Sequence, residues 1–453
     1  MLRFLDREEE LSRLGRALEN GESALVCLYG RRRCGKTRLI QEGLKERRAA
    51  YYVGDDREEA LQMAGVAREI ARLLPGFDSV TYADWETILK RWEGEAPAGA
   101  VLVLDEFSSM VAASPALPSV IQKFVDGGGE KALHLVLAGS SQRMMAGYLL
   151  NASAPLYGRA RELMKIGPLA PRWTGEALGL KTAREAVTHY AVWGGVPRYW
   201  ELAAGRKGLD RAVLDLVLSP LGVLHREPER LLLDDLRDTR QAASILSLIG
   251  RGCHRVSEIA TRLQRPATSL SRPLGVLMEM GLVRRETPFG RSTRDTKKTL
   301  YRIDDPFLRF WYTFVDPNRA LLEAGRQVDV WKESREKFRQ HLAGVWEDLV
   351  RASVPKVKIA GRRFGPAGSW WGSGTDRLPL ELDVVATSDD RLLVGEAKLH
   401  CTAKEARAAL AGLQERASRL PFAKDRKVTC ALWVLEQRRP LQLRGVYGPD
   451  DVL

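Results

Sequence analysis

One octapeptide limits the fold more than any other part of this chain: Gly30-Arg31-Arg32-Arg33-Cys34-Gly35-Lys36-Thr37, set between an apolar run at 24–29 and Arg38-Leu39-Ile40-Gln41-Glu42. The apolar run reads as a strand and the segment after the octapeptide as a helix, so the order is strand, glycine-bearing loop, helix. In that order backbone N–H groups converge at a helix N-terminus, with a lysine and a hydroxyl beside them. Such a loop holds the phosphates of a nucleoside triphosphate, the lysine meeting the β/γ charge and the hydroxyl meeting Mg²⁺. Gly30, Arg31, Arg32, Arg33, Cys34, Gly35, Lys36, Thr37 and Arg38 are therefore the expected phosphate-binding set.

Such a site also needs a carboxylate at a strand end to hold the metal through water. Residues 101–104 are apolar and end in Asp105-Glu106, which assigns Asp105 to Mg²⁺ and Glu106 to polarising the attacking water. A further strand, 135–138, ends in Gly139-Ser140-Ser141-Gln142 and places Ser140 or Ser141 where a hydroxyl can sense the γ-phosphate; capping a helix is the competing role. In Pro155-Leu156-Tyr157-Gly158-Arg159, the arginine stands where it can reach a neighbouring subunit's nucleotide, which requires a homo-oligomer.

These phrases, in this order and with the opening Phe4-Leu5-Asp6-Arg7-Glu8-Glu9-Glu10-Leu11, resemble the archaeal ATPase family of AAA+-type P-loop proteins. The resemblance implies ATP rather than GTP. It gives Lys36, Thr37, Asp105, Glu106, Ser140 and Arg159 the Walker A, Walker B, sensor and finger roles, and matches Gly194-Gly195-Val196-Pro197 to a lid motif.

Strand candidates at 24–29, 50–53, 101–104 and 133–138 alternate with helical stretches, the pattern of an α/β unit with a largely parallel sheet, ending near residue 167. At 453 residues, 45% hydrophobic and 28% charged, the chain has room for several cores. It has no run of eighteen apolar residues and its first nine residues lack a signal-peptide core, so a cytoplasmic protein without a membrane partner is expected. Five scattered cysteines without C-x-x-C spacing disfavour a disulfide framework and a structural zinc site. The net charge of +13 suits a polyanion.

Residues 168–238 carry helical periodicity and read as a lid. Over 239–302 the order is three helices (241–250, 256–263, 267–281) and a hairpin, the outline of a winged helix-turn-helix. Its hairpin carries Arg284, Arg285, Arg291, Arg294, Lys297, Lys298 and Arg302 against Glu286 and Asp295, a density suited to DNA phosphates. Thr268, Ser269 and Arg272 are the expected groove-facing residues. Pro273 either kinks the third helix or marks its start. Winged helices also bind proteins, so DNA and a protein partner both remain open at this point.

An aromatic-rich connector (303–340) leads to a last α/β unit (341–453). Its strands at 380–387 and 392–398 bring Asp383, Glu396 and Lys398 together, since Glu396 and Lys398 share a face and a hairpin partner supplies Asp383. Two carboxylates and an ammonium form a site for Mg²⁺-assisted phosphodiester cleavage, with Glu347 and Gln414 as accessories. The triad resembles the PD-(D/E)XK nuclease superfamily, with Leu382 in place of the motif's proline. A degenerate fold, in which Glu396 and Lys398 merely pair across the surface, is the alternative. The expected architecture is thus α/β: an AAA+-type ATPase core (1–167), helical lid, winged helix and nuclease-like domain, with ATP and Mg²⁺ as cofactors and DNA as partner. An ATP-gated regulatory switch with an inactive nuclease fold is the rival reading.

Overall fold

The computed structural model describes residues 2–19, 21–129, 131–236, 238–292, 298–423, 426–436 and 443–453. Five strands, β1 (Ala24–Tyr29), β2 (Ala49–Val53), β3 (Val101–Asp105), β4 (His134–Gly139) and β5 (Ala160–Lys165), form a parallel sheet in the order β2-β3-β4-β1-β5. The residues of β3 and β4 are all buried, because helices cover both faces of the sheet and a parallel strand then has no solvent side. β5 lies at the sheet edge. Its sequence Ala-Arg-Glu-Leu-Met-Lys buries one residue fully, which is why apolar patterning does not reveal it.

Helices Ala183–Trp193, Pro197–Ala204 and Glu227–Asp235 follow, then Arg240–Gly250, Val256–Leu263 and Ser271–Glu279, closed by the antiparallel hairpin β6 (Val283–Glu286) and β7 (Leu300–Ile303). The third of these begins later than its sequence suggests. Residues 267–270 form a 3₁₀ turn and Pro273 sits in the first helical turn, where its missing N–H costs nothing.

The connector helix Pro306–Phe314 is the apolar keystone. It buries Phe307, Leu308, Phe310, Trp311, Tyr312 and Phe314, each worth on the order of 2 kcal/mol. One continuous core joins Val26 and Ile40 of the first sheet through Trp193 and Trp200 to Leu246, Leu274, Trp311 and Phe338.

The carboxyl-terminal unit is a mixed sheet in the order β12-β11-β10-β9-β8: β8 (Gly368–Ser373), β9 (Pro379–Thr387), β10 (Arg391–His400), β11 (Lys427–Glu436) and β12 (Val446–Tyr447). Helices Arg335–Ser353 and Ala403–Ser418 pack on it. The glycine- and tryptophan-bearing edge strand β8 carries no apolar alternation and escaped the sequence reading. No helix among the described residues is long and apolar enough to cross a membrane.

The β6–β7 hairpin is not free. Phe289 N donates to Ser369 O of β8 at 2.8 Å, and the Phe289 ring joins Phe422 and Trp370. Arg284 binds Asp348 of helix Arg335–Ser353 at 2.6 Å and also Glu286, which Arg302 holds from the other side. Burial opposes ionisation of Asp348, but Arg309, Arg284 and Arg351 outweigh it and hold the carboxyl well below its usual range. The hairpin's positive charge is thus spent partly inside the molecule, a correction to the expectation that it faces phosphates. Arg294, Asp295 and Lys297 lie outside the described residues.

His341 is buried, with Nε2 2.7 Å from Ala191 O. Burial lowers its pKa to about 4 from the usual 6.5, with the Arg309 charge in the same direction. Between these values the unfolded chain takes a proton that the fold refuses, so stability falls as pH drops below 6.5. Denaturant titrations should show roughly 2 kcal/mol of loss between pH 6.5 and 5 that is missing in His341→Gln; equal slopes contradict this.

Candidate functional site

The loop after β1 is shaped by close approach. Gly30 has φ +151°, and a Cβ there would meet Ile166 O at 2.1 Å, so only glycine fits where the chain leaves the strand. Gly35, also at positive φ, opens helix Lys36–Gly43 with no side-chain cap, leaving the first N–H groups of that helix directed at the loop's concavity. Lys36 Nζ donates to Gly30 O (2.7 Å), Arg31 O (3.3 Å) and Ser140 Oγ (3.2 Å). Burial lowers its pKa, and the charges of Glu106, Cys34 and Asp105 work against that shift. A buried ammonium held mainly by carbonyls is suited to an anionic ligand.

Thr37 Oγ1 donates to Asp105 Oδ2 at 2.7 Å, and Tyr51 OH of the neighbouring strand donates to the same oxygen at 2.6 Å. Glu106, left-handed at φ +51°, turns back to accept from Ser140 Oγ (2.6 Å) and Ser140 N (3.3 Å). Lys36, Thr37, Asp105, Glu106 and Ser140 therefore meet in one place. Ser141 takes the other role open to it, capping helix Gln142–Leu149 while donating to Asp235 at 2.7 Å.

The cavity here, about 410 Å³, is lined by the loop and by Glu106 and Ser140, and also by the apolar side chains Leu2, Phe4, Leu169 and Pro197. The loop residues suit phosphates and the apolar ones a flat base. Arg7, nearly buried, ties the amino-terminal segment to this cavity by donating to Cys34 O (3.2 Å) and to Gly167 O. Leu169 N donates to Gly195 O at 2.7 Å, and a Cβ on Gly195 would meet Leu169 O at 2.3 Å, which places the Gly194-Gly195 turn against the wall of the same cavity.

A model of ATPase domains found predominantly in Archaea matches residues 4–201. Residues 4–201 belong to that ATPase family. A second model, of archaeal and bacterial proteins of unknown function, matches residues 311–409. An uncharacterized protein of Methanocaldococcus jannaschii is 27% identical over 394 residues, 85% of each chain. An uncharacterized ATP-binding protein of the same organism is 44% identical over 45 residues, 10% of this chain and 76% of that one. Among solved structures, a Walker-type ATPase of Pyrococcus abyssi is similar in fold, with TM-score 0.53 and 20% identity over 68% of this chain and 96% of its own.

Within the archaeal ATPase domain, Arg159 stands apart from the phosphate loop. It forms a two-pronged pair with Asp126 at 2.7 and 2.8 Å on the surface. Arg38 follows Thr37 on the same helix and lines the cavity. The three loop arginines have partners that sequence reasoning missed: Arg31 binds Asp305 (2.5 Å) and Tyr199 OH (2.9 Å), Arg32 binds Asp234 (3.1 Å), and Arg33 binds Glu227 (2.6 Å).

In the carboxyl-terminal unit, β9 and β10 pair antiparallel and bring Asp383 to Glu396; Asp383 Oδ2 accepts from Ala397 N at 3.0 Å. Burial and the Glu396 charge raise the Asp383 pKa, and burial and the Asp383 charge push Glu347 up to about 7. Glu396 is held by Arg416 (2.6 Å) and Lys398 (3.4 Å). Crowded, half-buried carboxylates of this kind suit a cation, yet among the described residues no group of three His, Cys, Asp or Glu converges as a metal cluster. Gln414 accepts from Cys430 Sγ at 3.3 Å.

Proposed function

We propose that this chain is an ATP-hydrolysing switch whose nucleotide state controls a DNA-binding surface in its carboxyl-terminal half. The proposal divides it into an ATPase core (1–167), a helical lid (168–238), a winged helix (239–302), a connector (303–340) and a nuclease-like unit (341–453). The observation that carries it is the meeting of Lys36, Thr37, Asp105, Glu106 and Ser140 beside a cavity that apolar side chains also line.

In this reading the loop N–H groups and Lys36 bind the β- and γ-phosphates, while Leu2, Phe4, Leu169 and Pro197 enclose the base. Thr37 and Asp105 would hold Mg²⁺, with Tyr51 fixing the Asp105 carboxylate; the metal supplies charge neutralisation at the phosphates. Ser140 orients Glu106, which accepts a proton from water as its oxygen bonds to the γ-phosphorus and the bond to ADP breaks. Arg159, held by Asp126 until a second copy arrives, is offered to that copy's γ-phosphate.

The surface proposed for DNA differs from the hairpin. Arg262, Arg265 and Arg272 are exposed, with no ion-pair partner among the described residues, and Thr268 and Ser269 are exposed between them. Arg262 stands at the end of the second helix, Arg265 in the turn and Arg272 in the first turn of the third helix, the parts of a helix-turn-helix that phosphate and groove contacts use. The carboxyl-terminal unit resembles a PD-(D/E)XK nuclease in which Asp383 and Glu396 would hold Mg²⁺ and Lys398 would steady developing charge. One observation favours a second reading, in which that unit holds DNA without cutting it: the Glu396 carboxylate is already taken by Arg416.

Glu106→Gln is expected to lower ATP turnover at least a hundredfold while leaving ATP affinity within a few-fold of wild type; unchanged turnover contradicts the hydrolytic assignment. Replacing Arg262, Arg265 and Arg272 by alanine should weaken duplex binding and reduce the slope of log affinity against log salt by about 0.9 per arginine. A salt-independent affinity contradicts the DNA surface. In the same duplex samples with Mn²⁺, cleavage lost in both Asp383→Ala and Lys398→Ala supports the nuclease, and absence of cleavage in wild type selects the second reading.

A further inference from the structure

Helix Glu227–Asp235 lies between the nucleotide site and the three-helix unit, and its acidic residues occupy donors which that site needs. Arg32 and Arg33 line the 410 Å³ cavity, and both are bound by this helix, Arg32 through Asp234 and Arg33 through Glu227. Asp235 Oδ1 accepts from Ser141 Oγ (2.7 Å) and Arg143 N (3.3 Å) just after β4, at the same end of the sheet as the loop. Glu227 is 1% exposed and also accepts from Tyr199 OH at 2.9 Å. Three carboxylates of one short helix therefore hold groups that surround the cavity, and the charge of Glu106 reaches Asp234.

Arg31 behaves differently. It does not line the cavity; its guanidinium is buried behind the loop on Asp305 and Tyr199, and its Nε has no partner. Asp305 in turn caps the connector helix through Leu308 N at 2.9 Å. A buried pair of this kind is costly to break, because either charge left alone is stranded. The Arg32–Asp234 pair is more open, with the two side chains 57% and 22% exposed, and at Arg33 the guanidinium is 26% exposed although Glu227 is buried.

We infer that helix Glu227–Asp235 is a phosphate-sensing lever: the γ-phosphate and the carboxylates of Asp234 and Glu227 compete for Arg32 and Arg33, so that triphosphate binding releases the helix while Arg31 and Asp305 stay as the fulcrum. The electrostatics of the site support the direction of the effect. Burial raises the Asp234 pKa and the charges of Asp235 and Glu106 add to this against Arg32, so the carboxylate is already disfavoured before a phosphate approaches. Two anions sharing one guanidinium in a half-buried site repel, and the anion with more donors keeps it. The triphosphate has the loop N–H groups and Lys36 in addition. The helix packs against helix Arg240–Gly250, the first of the three-helix unit, so its movement is passed to the proposed DNA surface. ADP, without the γ-phosphate, leaves the carboxylates in place.

This inference rests on the proposed ATP site, and the experiment separates the two. Amide hydrogen exchange over residues 227–236 is measured on the full chain without nucleotide, with Mg²⁺-ADP and with a non-hydrolysable ATP analogue, alongside equilibrium affinity for the analogue. The lever predicts at least tenfold faster exchange with the analogue and little change with ADP. It also predicts that Glu227→Gln/Asp234→Asn exchanges fast without nucleotide and binds the analogue about tenfold tighter, since binding no longer works against the ion pairs. Asp234→Asn alone, at a partly exposed position, gives the same directions in smaller degree if the double variant does not fold. Bound analogue with unchanged exchange overturns the lever and leaves the ATP site standing, as does weaker analogue binding in the variants. A wild-type chain that binds no analogue overturns the site reading and the lever with it.

Discussion

The conformation of the phosphate loop depends on three consecutive arginines whose charges are neutralised far away in sequence. Asp305, Asp234 and Glu227 lie 274, 202 and 194 residues from Arg31, Arg32 and Arg33. Neighbouring guanidinium groups repel, and a partly buried one must be paired. Without nucleotide the loop is therefore held by the helix Glu227–Asp235 and the start of the connector helix docked against it. This condition makes one apolar core from the first sheet to Phe338 a requirement as well as a source of stability. A chain whose helical units separated from the sheet would leave three cations at its nucleotide site without partners.

The same principle recurs at the other end. Asp348 gathers Arg284 of the hairpin, Arg309 of the connector and Arg351 of its own helix, and Arg351 Nη1 donates to Asp383 O at 2.9 Å. Strand β6 of the hairpin is thereby linked through two side chains to the backbone of the proposed nuclease site. Phe289, seated against β8 and Phe422, adds an apolar contact to the ionic one. The three-helix unit is thus held from both sides: by the loop-bound helix before it and by the carboxyl-terminal unit after it. Its exposed residues include Arg262, Arg265 and Arg272, which have no ion-pair partner among the described residues.

What was legible in the sequence was what is local. The loop from Gly30 to Thr37 sits between a run of six apolar residues and a helix, so its chemistry is contiguous, and β3 with Asp105-Glu106 repeats the pattern. Strands β9 to β11 and the helices around them were also legible, because their faces alternate or repeat over ten or more residues. The partners of the loop arginines were not legible: a lone Asp or Glu two hundred residues away carries no signal beyond its charge. Tyr51, which fixes Asp105, reads from sequence as one more strand aromatic. β5 and β8 were missed because edge strands bury few side chains, and β8 is built from Gly, Ser and Trp. The hairpin was recognised, but counting its basic residues could not reveal that Arg284 and Arg302 face carboxylates of the same molecule.

These connections make one claim about the whole chain: a triphosphate at the first sheet changes how the carboxyl-terminal half grips a polyanion. Duplex DNA affinity at one fixed salt concentration, measured for the nucleotide-free, ADP-bound and ATP-analogue-bound chain, tests it most directly. The account predicts an affinity with the analogue that differs at least fivefold from the other two, which resemble each other. Three equal affinities contradict it.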